Sequence, residues 1–189
     1  STNVRSSTEN IKMIRLNQEL RGVMTMMVDE LKRAGYSADP SNSDFMDDFN
    51  VSATCIRYSY DENGDAIRGA NERFGFKLES NTVKWTTSGG DPNTPPTAPN
   101  CGTGTWTDIT DTNLAFITTL DPDDSYFDIS GSINSNGTSS GAAAFSATSG
   151  VSVYDIAIIL TGTTDLPHST NDPRRTAKET VRIRNEAPK

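Results

Sequence analysis

The chain has 189 residues, of which 33% are hydrophobic, and it carries a formal net charge of -8. This length predicts one domain with its own core, and the low apolar content favours a β-rich domain with long polar loops. The negative charge disfavours binding to nucleic acid and to anionic membrane surfaces, because both would repel the protein.

The first predicted element is a long amphipathic helix. Apolar residues recur every three or four positions from Met13 to Ala34, which is the period of one helix face. Gly35 and Pro40 mark the predicted end of the helix. Two roles are open for the apolar stripe, packing on the protein's own sheet and binding a partner. We expect sheet packing for the C-terminal half and partner contacts for the remainder.

Beyond residue 50 the apolar residues alternate with polar ones, which predicts strands. The predicted strands span 51–60, 72–79, 83–85, 114–120, 126–133, 151–160 and 177–185. The strand at 151–160 has apolar residues at both parities, so we expect it to be central and covered on both faces. Stretches 88–100 and 134–150 are predicted to be loops. One leading helix and about eight strands predict an α+β fold, with the helix on one face of an antiparallel sheet.

Cys55 and Cys101 are the only cysteines, and neither has the spacing of a metal site. Two arrangements are open for them, a disulfide, which we favour, and two free structural thiols. A disulfide would hold the end of the 88–100 loop against the first strand. It would also imply an oxidising compartment.

Two acidic clusters are candidate cation sites: Asp61, Asn63 and Asp65, and Asp121, Asp123 and Asp124 with Asp128 nearby. The first cluster has the spacing of the start of a calcium loop, because oxygen ligands at alternate positions can converge on one ion. However, Ala66 stands where such a loop requires glycine, and Glu72 at the twelfth position falls in a predicted strand. We therefore expect ordinary turns and no cofactor, with calcium as the alternative.

Nothing in the sequence indicates catalysis. His168 is the only histidine, and no Gly-x-Ser-x-Gly elbow is present, so a hydrolytic triad is disfavoured. We predict that the protein is not an enzyme. A binding module for a glycan or a host protein stays open, with Trp85, Trp106 and the two long loops as its candidate surface, although Trp106 is expected in the core.

Several segments resemble PilW-like minor type IV pilins. They are RLNQELR at 15–21, MVDELKRAGY at 27–36, CIRYSYD at 55–61, ERFGFKL at 72–78, Cys101 with Trp106, Ile109, Thr110 and Asp111, and VRIRN at 181–185. The resemblance rests on their order over nearly the whole chain.

The resemblance implies a type IV pilin-like architecture. Residues 1–36 would be the C-terminal half of the pilin's N-terminal helix and residues 37–189 a β-rich head, together forming one structural domain. The sequence contains no prepilin cleavage motif and no run of about 20 apolar residues. We therefore expect a preceding helix that inserts the native protein into the inner membrane.

The resemblance also implies a function. The protein would be a minor pilin that primes type IV pilus assembly at or near the filament tip, and a type II secretion minor pseudopilin or a tip adhesin is the alternative. Its partners would be other minor pilins, the major pilin and, where the filament carries one, a large tip adhesin. It would occupy the inner membrane and periplasm first and the cell-surface pilus later. The predicted association residues are Met13, Leu16, Leu20, Val23 and Met27, and charged residues at Leu20 and Met27 are expected to abolish co-assembly.

Overall fold

The structure is a computed structural model, and it describes residues 2–87, 101, 104–111, 116–117, 125–128, 133–134, 152–166 and 172–183. Its helix is α1, Thr2–Leu31. The strands are β1 Asn50–Ser52, β2 Cys55–Ser59, β3 Arg73–Glu79, β4 Thr82–Thr86, β5 Thr107–Asp108, β6 Phe116–Ile117, β7 Tyr126–Asp128, β8 Ile133–Asn134, β9 Ser152–Thr163 and β10 Arg174–Ile183. A short 3-10 helix at Asp44–Met46 lies between α1 and β1, and another at Ala70–Glu72 lies between β2 and β3.

Helix α1 begins well before the predicted apolar stripe and ends at Leu31, three residues before the predicted end. The turn that follows contains Gly35, whose φ of 77° lies in the left-handed region that favours glycine. The Gly35 N–H donates to the Ser59 carbonyl oxygen at 2.8 Å, and the Asp61 N–H donates to the Tyr36 carbonyl oxygen at 2.9 Å. These two bonds fasten the helix end to β2.

The strands form two antiparallel sheets, which corrects the predicted fold. The first sheet has the order β1-β2-β3-β4-β5. In the second sheet β9 is central, with β10 on one side and β6, β7 and β8 in succession on the other. The prediction of a pilin-like helix packed on a single antiparallel sheet is therefore wrong, whereas the α+β content agrees with the structure. Alternation identifies the faces of a strand but does not identify its partner, because pairing joins distant segments.

The core lies between α1 and both sheets. Leu20, Met27 and Leu31 of the helix belong to one buried cluster with residues from every layer. The first sheet contributes Ile56, Tyr58, Phe74, Phe76 and Val83, and the second contributes Ile156, Ile158, Leu160, Val181 and Ile183. The two sheets are therefore joined through a common apolar interior rather than forming separate domains with separate cores.

Two strand predictions differ from the structure in an informative way. The predicted strand at 51–60 is divided into β1 and β2, which pair with each other through Ser52 and Cys55. The intervening Ala53 and Thr54 carry no turn signal in the sequence. Strand β9 is confirmed as a central strand, and Tyr154, Ile156 and Ile158 are buried along it.

Several predicted features lie outside the described residues, namely 88–100, 135–150, His168 and the cluster Asp121, Asp123 and Asp124. The division into 1–36 and 37–189 stays a prediction. Within the described part of the chain, no helix combines the length and the apolar content needed to cross a membrane.

Candidate assembly surface

The N-terminal part of α1 carries large apolar side chains in solvent. Val4, Ile11 and Ile14 are 72%, 49% and 55% exposed. Their spacings of seven and three residues place them on one side of the helix. Isolated surface hydrophobics are ordinary, but three on one side of a helix that precedes the head indicate a contact surface. We call these three residues the outer helix face.

The predicted association residues occupy a different side of the helix. Leu16, Leu20, Val23 and Met27 are buried in the core, and Met13 is partly buried against it. The reason is that the apolar stripe at helical spacing is also the side that α1 presents to β9 and β10. The four buried side chains are therefore not accessible to a neighbouring subunit in this conformation, and Met13 is accessible only in part.

Polar contacts hold α1 on the head from Lys12 onward. The Lys12 ammonium donates to the Asp165 carbonyl oxygen at 2.5 Å. The Glu19 carboxylate accepts a hydrogen bond from the Asp111 N–H, and burial raises the pKa of Glu19. Near the helix end, the Glu30 carboxylate accepts a hydrogen bond from the Tyr60 hydroxyl at 3.2 Å. The outer helix face thus projects from a stem that is fixed at several points.

A disulfide joins Cys55 of β2 to Cys101, with the two Cα atoms 6.3 Å apart. Cys101 begins a segment, 101–111, whose described residues cross the first sheet. The Ile109 N–H donates to the Val83 carbonyl oxygen at 2.9 Å, and the Thr110 hydroxyl accepts from the Val83 N–H at 3.0 Å. The disulfide and these bonds fix both ends of the segment.

Trp106 packs on the first sheet within this segment. The Arg57 guanidinium and the Lys77 ammonium lie 5.6 and 4.8 Å from its ring centroid, in cation–π contact. A Cβ atom at Gly75 would come within 3.0 Å of the Trp106 ring, so the absent side chain makes room for it. Trp85 packs against the core cluster. Both rings therefore have structural contacts in the head.

The first acidic cluster closes the turn between β2 and β3. Asp61 accepts hydrogen bonds from the N–H groups of Ala38 at 2.9 Å, Gly64 at 2.7 Å and Ala66 at 3.0 Å. Glu72 also accepts hydrogen bonds from backbone N–H groups, those of Glu62, Asn63 and Gly69. Both carboxylates are buried, and these hydrogen bonds offset the free-energy cost of burying them.

Oxygens of Asp61, Asp65 and Glu72 lie within 4.8 Å of one another. The structure thus brings the carboxylates of Asp61 and Asp65 together, as the candidate cation site requires. It also places the Glu72 carboxylate beside them. The Asn63 side-chain oxygen instead accepts a hydrogen bond from the Asp65 N–H at 2.9 Å. The backbone hydrogen bonds give these groups a structural role in the turn, and calcium binding stays a prediction.

Replacing Asp61 by asparagine is expected to destabilise the protein at neutral pH and to have less effect in acid. Hydrogen bonds from the backbone N–H of Ala38, and then of Ala66 and Gly64, lower the pKa of Asp61. A carboxyl whose folded pKa is lowered contributes stability above its unfolded pKa of about 3.9, and loses it as the pH falls through the folded value. Asparagine does not titrate and has one acceptor oxygen fewer.

The measurement is the free energy of unfolding of both proteins in urea, at neutral pH and well below pH 4. The exposed residue Asp165 gives a matched control as Asp165→Asn. An Asp61→Asn deficit that stays constant across this range would contradict the assignment of Asp61 as an ionised hydrogen-bond acceptor.

Residues 9–183 match the family model of prepilin peptidase-dependent protein B. The chain belongs to this family. No curated protein and no solved structure matches the chain. The matched range includes the helix from Glu9 and the strands of both sheets, so the family assignment covers almost all of the described residues.

Membership in the prepilin peptidase-dependent protein B family makes the chain a relative of type IV pilins. It associates the protein with other pilus components and with the cell envelope or cell surface. The narrower resemblance to PilW-like pilins or to type II secretion minor pseudopilins stays a prediction.

Sequence reasoning missed the outer helix face. The available signal was that Val4, Ile11 and Ile14 recur on the side of the helix opposite Leu16 and Leu20. A strong apolar stripe on the other side concealed it. The sequence placed Glu72 at the twelfth position of the calcium-loop spacing but gave no signal for its bonds to the Glu62 and Asn63 N–H groups, which lie nine or ten residues earlier; its third partner, Gly69, is local.

Proposed function

We propose that this protein is a minor pilin, a structural subunit that primes type IV pilus assembly at or near the filament tip. The observation that carries the proposal is the outer helix face, an exposed apolar surface on the leading helix of a prepilin peptidase-dependent family member. Such a helix can pack against the helices of other subunits, while the head remains outside the bundle.

The helix geometry suits lateral packing. Among the described residues, Lys12 is the first of α1 with a hydrogen bond to the head, and residues 2–11 before it extend for about 15 Å as a helix. Fully burying an exposed isoleucine in an interface contributes about 1.5–3 kcal/mol. Ile11 and Ile14 together would therefore supply a substantial part of the energy of one helix contact.

The proposal assigns a structural rather than an enzymatic role. The buried carboxylates Asp61 and Glu72 are engaged by backbone N–H groups, which suits a turn and not proton transfer. Other minor pilins and the major pilin are the proposed partners. Insertion in the inner membrane through a preceding helix, followed by transfer to the surface pilus, completes the proposal.

The test is a double variant, Ile11→Asp with Ile14→Asp, in the full-length protein expressed in a strain that lacks the native copy. We expect loss of co-assembly, measured as pili per cell and as co-purification with other pilins. The stability of the head should change by no more than about 0.5 kcal/mol, because both side chains are exposed.

The matched control is Ile67→Asp, since Ile67 is also an exposed isoleucine, at 70%, but lies in the turn between β2 and β3. It should leave piliation unchanged. Normal piliation by the double variant at wild-type protein levels would overturn the role of the outer helix face.

A further inference from the structure

A groove of about 730 Å³ runs between α1 and β10. The partly exposed Val28 of the helix and Ala177 of the strand give it apolar surface, and the buried Leu20 and Met24 lie beneath them. Charged residues also line the groove, and among them Arg21 and Lys178 are exposed. The groove therefore combines an apolar interior with a polar margin, as peptide-binding grooves do.

Strand β10 forms one wall of this groove and one edge of the second sheet. Among the described residues it pairs only with β9, from Arg174 opposite Thr163 to Ile183 opposite Tyr154. Every second residue of such an edge directs its N–H and C=O away from the sheet. At 10 residues, β10 is long enough to pair with a complete added strand.

The edge has a charge opposite to that of the protein. Strand β10 contains Arg174, Arg175, Lys178 and Arg182 and only one acidic residue, Glu179. On the helix side of the groove, Arg21 and Lys32 are accompanied by Asp29, which pairs with Lys32 at 3.6 Å, and Arg182 pairs with Asp155 of β9. The excess of basic residues is therefore confined to β10. An approaching acidic segment is attracted to this edge, although the rest of the molecule repels it.

We propose that the groove binds an acidic, extended peptide segment of another protein, which pairs with β10 as an additional strand. Backbone hydrogen bonds to β10 would supply the register, and alternate apolar side chains would contact the partly exposed Val28 and Ala177. Carboxylates of the segment would face Lys178, which lies on the face of β10 opposite Ala177. The identification of that protein as a neighbouring pilus subunit rests on the proposed function.

The charge pattern also selects against two other occupants. Pairing β10 with the β10 of a second copy would place basic strands side by side, which like-charge repulsion disfavours. A nucleic acid would satisfy the basic residues, but it has no backbone N–H and C=O pattern to match a strand edge. The net charge of -8 further disfavours a long polyanion.

The experiment measures binding of a labelled ten-residue peptide of alternating aspartate and valine to the isotope-labelled protein. The comparison peptide alternates lysine and valine. We expect the acidic peptide to bind, the basic peptide not to bind, and the amide shifts to concentrate at residues 174–183. The variant Lys178→Glu should weaken binding about fivefold or more. The control Arg15→Glu, which changes the same charge on an exposed helical position outside the groove, should stay within about twofold.

Three results would overturn the inference: equal affinity for both peptides, amide shifts located away from β10, or tighter binding of single-stranded DNA of the same charge. The two proposals are tested separately. The Ile11→Asp, Ile14→Asp protein should bind the acidic peptide normally, since those residues are outside the groove. Loss of piliation in that variant, together with absent peptide binding by the wild-type protein, would contradict the proposed role of the groove but not that of the outer helix face.

Discussion

Replacing Met27 by glutamate is expected to unfold the protein rather than to yield a folded subunit that fails to assemble. The Met27 side chain is fully buried in the cluster shared by α1 and both sheets. Losing its packing costs about 2–5 kcal/mol, and an unpaired buried charge adds several more. This sum is comparable to the total stability of a domain, about 5–15 kcal/mol. Thermal unfolding followed by circular dichroism measures the effect.

Two controls separate the effect of burial on stability from the effects of charge and of side-chain size. Gln18→Glu introduces the same side chain at an exposed position of α1, and it should change stability by no more than about 0.5 kcal/mol. Met27→Leu nearly conserves volume and should cost less than about 1.5 kcal/mol. A Met27→Glu protein that melts cooperatively at the wild-type temperature would show that Met27 is not in the core.

This expectation changes how assembly experiments on α1 should be read. Charged residues at Leu20 and Met27 were predicted to abolish co-assembly, and the structure gives a different reason for such a loss. Both side chains are buried, so a failure to assemble would report a failure to fold. Variants of Ile11 and Ile14 avoid this ambiguity because they leave the core intact.

The second large effect is expected from the disulfide. Replacing both Cys55 and Cys101 by serine should lower the free energy of unfolding by about 4 kcal/mol, from the loss of loop closure in the unfolded chain. The bridge spans a sequence separation of 46 residues, long enough for a large entropic effect. Urea denaturation of the oxidised protein, the reduced protein and the double variant measures this difference.

The single variants provide the internal control. Cys55→Ser and Cys101→Ser each remove the same bridge, so both should lose about as much stability as the double variant. The oxidised wild type should have the highest urea midpoint. The midpoints of the reduced protein and of all three variants should lie close together below it. Equal midpoints for oxidised and reduced protein would contradict a stabilising role of the bridge.

The segment 101–111 should respond locally to the same change. Without the disulfide, its attachment would depend on the bonds of Ile109 and Thr110 to Val83 and on the packing of Trp106 over Gly75. Faster hydrogen exchange at residues 104–110 than at β9 would locate the loosened part. Uniform exchange throughout the head would instead indicate that the bridge acts only on global unfolding.

The secondary structure was predictable where the signal is local. The three-to-four spacing of Leu16, Leu20 and Met27 predicted a helix, and the apolar run at 151–160 predicted the central strand β9. Gly35 was expected to end the helix, and the chain does turn there through a positive φ. The division of 51–60 into β1 and β2 was missed because Ala53 and Thr54 have no preference for a turn.

By itself the sequence determined the leading helix, its apolar side, the central strand and the presence of one cysteine pair, because each depends on neighbouring residues or on composition. Only the tertiary structure decided that the strands form two sheets, that Glu72 joins Asp61 in one turn, and that β10 is a basic edge beside a groove. These features depend on which distant segments meet. It also decided which side of α1 is accessible, since two helix sides carry apolar residues and the sheets cover only the one containing Leu20 and Met27.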